Sequence, residues 1–282
     1  MKTFPALLLA LASSVSTGSA GLLYGLDELN GLFIFNSASP AAAVHVGTIS
    51  QPGIVDIDFS PVNGALYGAT ADGSLYTINI FTGAAALVVT PASSMGTVTD
   101  IDFNPAADRV RVFSEGDQNY RLTPDASAYN NPGLTAGVVT NDGTFSNPGV
   151  SLVGSAYTNP VDGTAVTTLY SIDNTSNSLI RHDNGAAFST VTVVGSLGVD
   201  PGPVAGFDIG SDGIAWLSAG NDLYSVNLQT GAATATGAIG APGSPAVLSI
   251  ASAVTVVPVP EASVSSALLL TGLAAMGRRR RK

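Results

Sequence analysis

Apolar and polar residues alternate in many short runs of this chain, and one type of run recurs. Residues 56–61 read Asp-Ile-Asp-Phe-Ser-Pro, and residues 100–105 repeat them as Asp-Ile-Asp-Phe-Asn-Pro. Weaker copies lie at residues 155–160 and 206–209. Because successive side chains of a strand point to opposite faces, this alternation predicts half-buried β-strands. The recurrence predicts that one strand type is used at least four times.

Each of these runs is followed by further strand-like runs. A second run, such as residues 65–68, follows every copy, and a third run at residues 74–79 matches residues 222–227. Asn-Gly and Asp-Gly pairs predict hairpin turns, since both central residues can take φ > 0. Such pairs lie between the runs, at Asn63-Gly64, Asp72-Gly73, Asp162-Gly163 and Asp212-Gly213.

The spacing of the copies predicts the fold. Asp56 and Asp100 are 44 residues apart, and Tyr24 and Tyr67 are 43 apart. A period in the forties with about four short strands per copy is typical of a β-propeller blade. We therefore predict an all-β domain over residues 21–257, a β-propeller of five blades. The first copy lacks its innermost strand, which residues 247–257 can supply by returning to close the ring. A β-sandwich or a β-solenoid is the alternative.

The charge of the domain is strongly acidic once the chain ends are set aside. Between them lie nineteen acidic residues and only four basic ones, all arginines. Affinity for phosphate polymers comes from Lys and Arg displacing counterions, so nucleic acid is excluded as a partner. The chain has no cysteine, which excludes disulfides, thiol catalysis and thiolate metal sites.

Both ends of the chain resemble targeting segments. Residues 1–20 combine Lys2, a short apolar stretch and a final Gly-Ser-Ala, as in a secretory signal peptide. The other end, residues 258–282, contains an apolar stretch at 262–277 followed by four arginines and a lysine. A stretch of this length is slightly short of a bilayer core, and its basic flank would stay cytoplasmic. The sequence therefore predicts export with the domain outside the inner membrane.

The order of parts in residues 258–282 resembles the PEP-CTERM sorting signal of Gram-negative bacteria. In that family an exosortase recognises a Pro-Glu-Pro element and processes the tail. Here the element is Pro260-Glu261-Ala262, so the second proline is missing. The resemblance implies an exosortase-like enzyme as a partner, transient anchoring in the inner membrane, and a final place at the cell surface, the outer envelope or the extracellular matrix. A plain tail anchor without processing is the alternative.

The domain itself resembles a family of exported bacterial domains of unknown function that are built of propeller-like repeats. The resemblance covers most of residues 21–250, and its most specific parts are residues 102–105, 108–112 and 118–122. It implies a fold but no activity.

Paired carboxylates on the recurrent strand are the first candidate site. In the copies at 56–59 and 100–103 the two acids share one face of the strand, and the apolar residues share the other. On innermost strands these acids would approach the central channel, where three roles are open: Ca²⁺ ligands, a general acid and base, or caps of neighbouring backbone N–H groups. The residues concerned are Asp56, Asp58, Asp100, Asp102 and Asp208.

The arginines form a second candidate site. Three of the four in the domain, Arg109, Arg111 and Arg121, fall in one repeat. Arg109 and Arg111 share a face, and Arg121 would join them from the adjacent strand. Such a positive cluster could bind a carboxylate or an anionic sugar, or it could pair internally with acids such as Asp102.

No catalytic constellation accompanies these residues. The two histidines, His45 and His182, lack a nucleophile elbow beside them, and no metalloprotease, EF-hand, phosphate-loop or dinucleotide motif occurs. We therefore predict a non-enzymatic binding or scaffold protein without a cofactor, in contact with extracellular polysaccharide. A polysaccharide lyase or hydrolase that uses the channel Asp residues is the alternative.

Overall fold

The computed structural model describes residues 21–125, 135–147, 149–183, 185 and 187–254. The predicted signal peptide (1–20), the predicted sorting tail (258–282) and its motif Pro260, Glu261 and Ala262 lie outside these residues. Within the described part of the chain, no helix has the length and apolarity that a membrane crossing requires.

All regular secondary structure in the described residues is β. The strands in chain order are β1 (Leu22–Asp27), β2 (Gly31–Asn36), β3 (Ser39–Thr48), β4 (Ile54–Phe59), β5 (Leu66–Thr70), β6 (Leu75–Ile78), β7 (Ala85–Val89), β8 (Val98–Asn104), β9 (Arg109–Ser114), β10 (Gln118–Leu122), β11 (Val139–Thr144), β12 (Leu152–Tyr157), β13 (Leu169–Asp173), β14 (Ser178–His182), β15 (Val191–Ser196), β16 (Ala205–Ile209), β17 (Ala215–Ala219), β18 (Asp222–Val226), β19 (Ala233–Ala238) and β20 (Val247–Ser252).

The strands form five antiparallel four-stranded sheets, which are the blades of a β-propeller. From the centre outward, blade I contains β20, β1, β2 and β3; blade II contains β4 to β7; blade III contains β8 to β11; blade IV contains β12 to β15; and blade V contains β16 to β19. The innermost strands contact one another in the order β4, β8, β12, β16 and β20, and β20 returns to β4. The prediction of an all-β, five-bladed propeller is confirmed.

The ring is closed by the strand that the sequence predicted for this purpose. Residues 247–252 form β20, which pairs antiparallel with β1, as Tyr24 opposite Ala251 illustrates. Blade I therefore joins the two ends of the domain, and the innermost edge of β1 is covered. Because an uncovered edge would expose a row of backbone N–H and C=O groups, this closure also protects the domain from edge-to-edge association.

The core is divided among the five blade interfaces. Each of five apolar clusters contains residues from two neighbouring blades, for example Tyr67 of blade II against Phe103 of blade III, with ring centroids 4.9 Å apart. Large apolar residues from the inner three strands fill these interfaces, whereas the outermost strands are largely exposed. The blades thus pack face to face around a central axis, and polar groups on that axis belong to the innermost strands.

Candidate functional site: the channel carboxylates, the entrance cavity and the arginine cluster

Two positions on each innermost strand face the neighbouring innermost strand. In β4 they are Asp56 and Asp58, and in β8 they are Asp100 and Asp102. β4, β8 and β12 share a bulge at the same place, just before Asp56, Asp100 and Gly154. The shared bulge fixes the alignment of the copies independently of residue type. We call Asp56, Asp58, Asp100, Asp102 and Asp208 the channel carboxylates.

The channel carboxylates bind backbone N–H groups of the next blade. Ile101 N–H donates to Asp56 at 2.6 Å, and Phe103 N–H donates to Asp58 at 2.8 Å. One blade further on, the N–H groups of Ser155 and Tyr157 donate to Asp100 and Asp102 at 3.0 and 3.1 Å. The same bond joins blade V to blade I, where Ser252 N–H donates to Asp208. The carboxylates therefore link the innermost strands, as the capping interpretation predicted.

Blades IV and V carry glycine at the position that Asp56 and Asp100 occupy in blades II and III. A Cβ on Gly154 would lie 2.9 Å from the Cβ of Phe207, and a Cβ on Gly206 would lie 2.5 Å from the backbone nitrogen of Ile250. At these positions the next strand approaches too closely for a side chain, so direct backbone packing replaces the carboxylate link. Gly154 also shows that the sequence alignment of the third copy, which placed Ser155 opposite Asp56, is wrong by one residue.

Burial shifts the acidity of all five channel carboxylates. Burial raises the pKa of Asp56 to about 7. It likewise raises the pKa of Asp58, Asp100 and Asp102 well above the ordinary value, with neighbouring carboxylates adding to the effect. The pKa of Asp208 is raised by burial as well. Burial in the channel thus shifts all five groups toward their neutral form.

Three of the five residues suggested as calcium ligands converge. Single oxygens of Asp58, Asp102 and Asp208 lie within 4.8 Å of one another. Oxygens at this separation are compatible with ligands of one cation, since Ca²⁺–O distances are about 2.3–2.6 Å. Asp56 and Asp100 are not part of this group. Calcium binding at the three converging carboxylates stays a prediction.

A cavity of about 460 Å³ opens at one end of the channel, and we call it the entrance cavity. All five innermost strands contribute to its wall near their first residues, with Ile54, Val98, Leu152, Ala205 and Leu248. Its acidic lining residues are Asp56, Asp100, Glu115 and Asp117, and none of its described lining residues is basic. The cavity therefore combines an apolar wall with carboxylates and suits a neutral or cationic ligand.

The three arginines predicted to cluster lie together on the face of blade III that contacts blade IV. Arg111 and Arg121 are opposite each other in the register of β9 and β10. Arg121 donates from Nε and Nη2 to the two oxygens of Asp142 at 2.7 and 2.8 Å, and Arg111 donates to the same carboxylate at 2.7 Å. We call Arg109, Arg111, Arg121 and Asp142 the arginine cluster. Asp142 was not indicated by the sequence.

Arg111 is tied to both blades. It donates to the hydroxyl of Tyr157 at 3.2 Å and to Asn119 Oδ1 at 2.6 Å, and its guanidinium lies over the ring of Phe188 at 5.3 Å. Its side chain is 1% exposed. Arg111 is thus a structural element of the interface between blades III and IV, whereas Arg109, which forms fewer bonds, is not fixed in this way.

His182 and Ser171 form a pair that the sequence did not reveal. The Oγ of Ser171 lies 2.8 Å from Nε2 of His182, and Nδ1 of His182 lies 2.7 Å from the carbonyl oxygen of Phe188. Burial lowers the pKa of His182 to about 4, so the imidazole is neutral. Both side chains are 0% exposed, which leaves a substrate no access to the hydroxyl. His45, in contrast, is exposed on β3.

Comparisons with known proteins identify the fold and a family. Residues 31–251 match the family model described as a domain of unknown function (DUF4394). No curated protein is similar to the chain in sequence. The structure is similar to that of a symmetrical protein whose de novo evolutionary emergence is shaped by folding constraints, with 15% identity, a TM-score of 0.53, and coverage of 83% of this chain and 99% of that chain.

Two further solved structures are similar at lower scores. One belongs to a nidogen/laminin complex, with 11% identity, a TM-score of 0.49, and coverage of 83% of this chain and 98% of that one. The other is an auxiliary nutrient binding protein from Bacteroides ovatus, with 13% identity, a TM-score of 0.45, and coverage of 75% and 56%. At such identities a structural similarity concerns the fold alone.

Proposed function

Because this chain belongs to the DUF4394 family, a family of domains of unknown function, we propose its role from its own geometry: it is an exported, non-catalytic binding or scaffold protein whose ligand occupies the entrance cavity. The observation that carries this proposal is the construction of the cavity by all five innermost strands. A site on a closed ring of strands is rigid before the ligand arrives, which lowers the cost of binding.

The lining of the entrance cavity defines the class of ligand. Glu115 and Asp117 are accessible and can accept hydrogen bonds from hydroxyl groups, whereas Asp56 and Asp100 already accept them from the next blade. Apolar residues such as Val98 and Leu152 offer contact to carbon atoms. Anionic ligands are disfavoured, since no described lining residue is basic and the domain is acidic. A neutral polyhydroxylated ligand, such as a segment of neutral extracellular polysaccharide, fits these requirements.

Val204→Trp tests whether the cavity is the binding site. Val204 lines the cavity and is 48% exposed, so an indole at this position narrows the entrance without disturbing the core. On an array of neutral and acidic glycans, we expect the wild type to retain neutral glycans. We expect Val204→Trp to weaken that binding by about tenfold or more.

The matched control is Val193→Trp. Val193 is 51% exposed on the outermost strand of blade IV, away from the cavity, and its substitution should leave glycan binding unchanged. Equal binding by wild type and Val204→Trp would place the ligand elsewhere, and the absence of any retained neutral glycan would contradict the binding role itself.

A hydrolase is the second candidate, because one observation favours it. Asp56 lines the cavity, and its pKa of about 7 is near the value that a general acid needs at neutral pH. Against this, Asp56 is already engaged by the N–H of Ile101. Release of reducing ends from a retained glycan, abolished by Asp56→Asn in a folded protein, would replace the binding role by hydrolysis.

Export and sorting form the second part of the proposal and rest on the chain ends. A signal peptide at 1–20 and a PEP-CTERM-like tail at 258–282 support passage across the inner membrane and processing by an exosortase-like enzyme at the cell envelope. Intact mass spectrometry of protein from membrane, surface and medium fractions is expected to show loss of residues 1–20 and of the tail near Pro260. An intact tail in the membrane fraction would instead indicate a plain anchor.

A further inference from the structure

Arg109 is a buried cation without a counter-ion. Its side chain is 8% exposed, and it forms no ion pair with any described residue. Only its Nη2 donates, at 3.3 Å to Thr140 Oγ1 and at 3.5 Å to the carbonyl oxygen of Arg121, and its Nε is buried without a partner. Both of these bonds are long, so most of the hydrogen-bonding capacity of this guanidinium is unused.

The one carboxylate of the arginine cluster is already occupied. Asp142 accepts two bonds from Arg121 and one from Arg111, all at 2.7–2.8 Å. Three arginines therefore share a single negative charge, and the excess positive charge lies at Arg109. Burial lowers the pKa of Arg109, and the charges of Arg121 and Arg111 add to this effect while that of Asp142 opposes it.

A second unused donor lies beside Arg109. Val110 pairs with Leu122, so the next residue, Thr123, stands opposite Arg109 on the adjacent strand. The hydroxyl of Thr123 is buried and has no hydrogen-bond partner. Unpaired buried polar groups, and above all unpaired buried charges, destabilise a folded protein unless a ligand completes their bonds. Thr123 is 0% exposed and out of reach of an external ligand, so the guanidinium of Arg109 is the group that such a ligand can complete.

We propose that Arg109, with Thr140, binds a small carboxylate on blade III, at a site distinct from the entrance cavity. Arg109 pairs with Asn104 at the end of β8, whereas the cavity lies at the beginning of β8, near Val98. The two sites thus lie at opposite ends of blade III. The planar guanidinium matches a carboxylate in two parallel N–H···O bonds.

The proposed ligand is a small molecule with one negative charge, and an acidic polymer is disfavoured. The domain has nineteen acidic residues against four arginines, so a polyanion is repelled over most of the surface. A single carboxylate carries one charge into the positive cluster and avoids this repulsion. Binding of a carboxylate at Arg109 is independent of the proposed binding of a neutral glycan in the entrance cavity.

The test compares D-glucuronate with D-glucose, which differ in the carboxylate. We expect glucuronate, at about one hundred times its dissociation constant, to raise the melting temperature of the wild-type chain by about 5 °C. Glucose should have no effect. Arg109→Gln should abolish the shift, and Arg181→Gln, which removes an exposed arginine on β14, should preserve it.

Three results would each contradict the binding of a carboxylate at Arg109. An equal shift in Arg109→Gln, an equal shift with glucose, or no shift in the wild type would each overturn it. A shift with inorganic sulfate but none with glucuronate would overturn the choice of a carboxylate. If Arg109→Gln does not fold, Arg109→Lys keeps the charge but loses the planar fork, and an undiminished glucuronate shift in that variant would equally overturn the proposal.

Discussion

Asp142→Ala is expected to destabilise the domain by about 3–5 kcal/mol, which lowers the melting temperature by about 10 °C or more. Among the described residues, Asp142 is the carboxylate that forms ion pairs in the arginine cluster, with Arg111 and Arg121 at 2.7 Å each. Arg111 is 1% exposed, so removal of the carboxylate leaves a charge that water cannot reach. Differential scanning calorimetry measures the effect.

Two variants separate this explanation from a general sensitivity to substitution. Asp222→Ala removes an exposed carboxylate on β18 and should change the free energy of unfolding by less than about 0.5 kcal/mol. Adding Arg111→Met to Asp142→Ala removes the stranded charge and should recover part of the loss. A melting temperature for Asp142→Ala that equals the wild-type value would show that the cluster does not depend on this carboxylate.

The fold could be predicted because its information is local and repeated. Alternation within residues 56–59 and 100–103 identified strands, and the 44-residue spacing identified blades. Closure by β20 followed from counting, since the first copy began with its second strand. In the Asn-Gly and Asp-Gly hairpins, however, only the glycine has positive φ, as at Gly64 and Gly73.

The alignment of the third repeat is wrong because packing between blades determines its register. Residues 155–160 align with residues 56–61 through the shared proline, but Gly154 is the true counterpart of Asp56. The loop after β12 differs in length from the loop after β4, and no local pattern reveals the shift. Gly154 is required because β16 approaches it closely, which depends on a strand about fifty residues away in sequence.

The candidate sites could be predicted only as far as they depend on local strand alternation. Strand alternation placed Arg109 and Arg111 on one face, and the structure brings Arg121 beside them from β10. Asp142 was missed because β11 is polar and follows β10 after a long connection, so neither periodicity nor proximity indicated it. Likewise the sequence showed that the channel carboxylates share a face, but only the neighbouring strand reveals that backbone N–H groups occupy them.

With divalent cations removed by EDTA, the protein is expected to lose stability as the pH rises from about 6.5 to about 8.5. The channel carboxylates have raised pKa values, so the folded chain holds their protons to higher pH than the unfolded chain does. Each contributes stability that is complete below the ordinary pKa of 3.8 and is lost as the pH rises through its folded pKa, which is about 7 for Asp56.

Most of this pH range lies above the range in which His182 titrates. Its pKa is lowered to about 4 from an ordinary 6.5, so His182 contributes stability above pH 6.5 and loses it as the pH falls toward 4. Above about pH 7.5 it is largely neutral in both states, and between about pH 6.5 and 7.5 its opposite slope reduces the expected loss. Each carboxylate that stays protonated there contributes a slope of about 1.4 kcal/mol per pH unit, and the melting temperature should fall by about 5 °C or more.

Asp102→Asn identifies the groups responsible. The N–H of Tyr157 donates to one oxygen of Asp102, so an asparagine can keep this bond through its carbonyl oxygen and direct its amide toward Asp58 and Asp208. We expect this variant to melt higher than the wild type at about pH 8.5, with a smaller slope, because it carries no charge that must be buried. If wild type and variant lose melting temperature with pH at the same rate, the pH dependence belongs to other groups.

The same measurement in Ca²⁺ tests the cation site. Three carboxylates this close can all ionise only around positive charge. A wild-type melting temperature that falls with pH in EDTA but not in Ca²⁺ would therefore favour a bound cation at Asp58, Asp102 and Asp208.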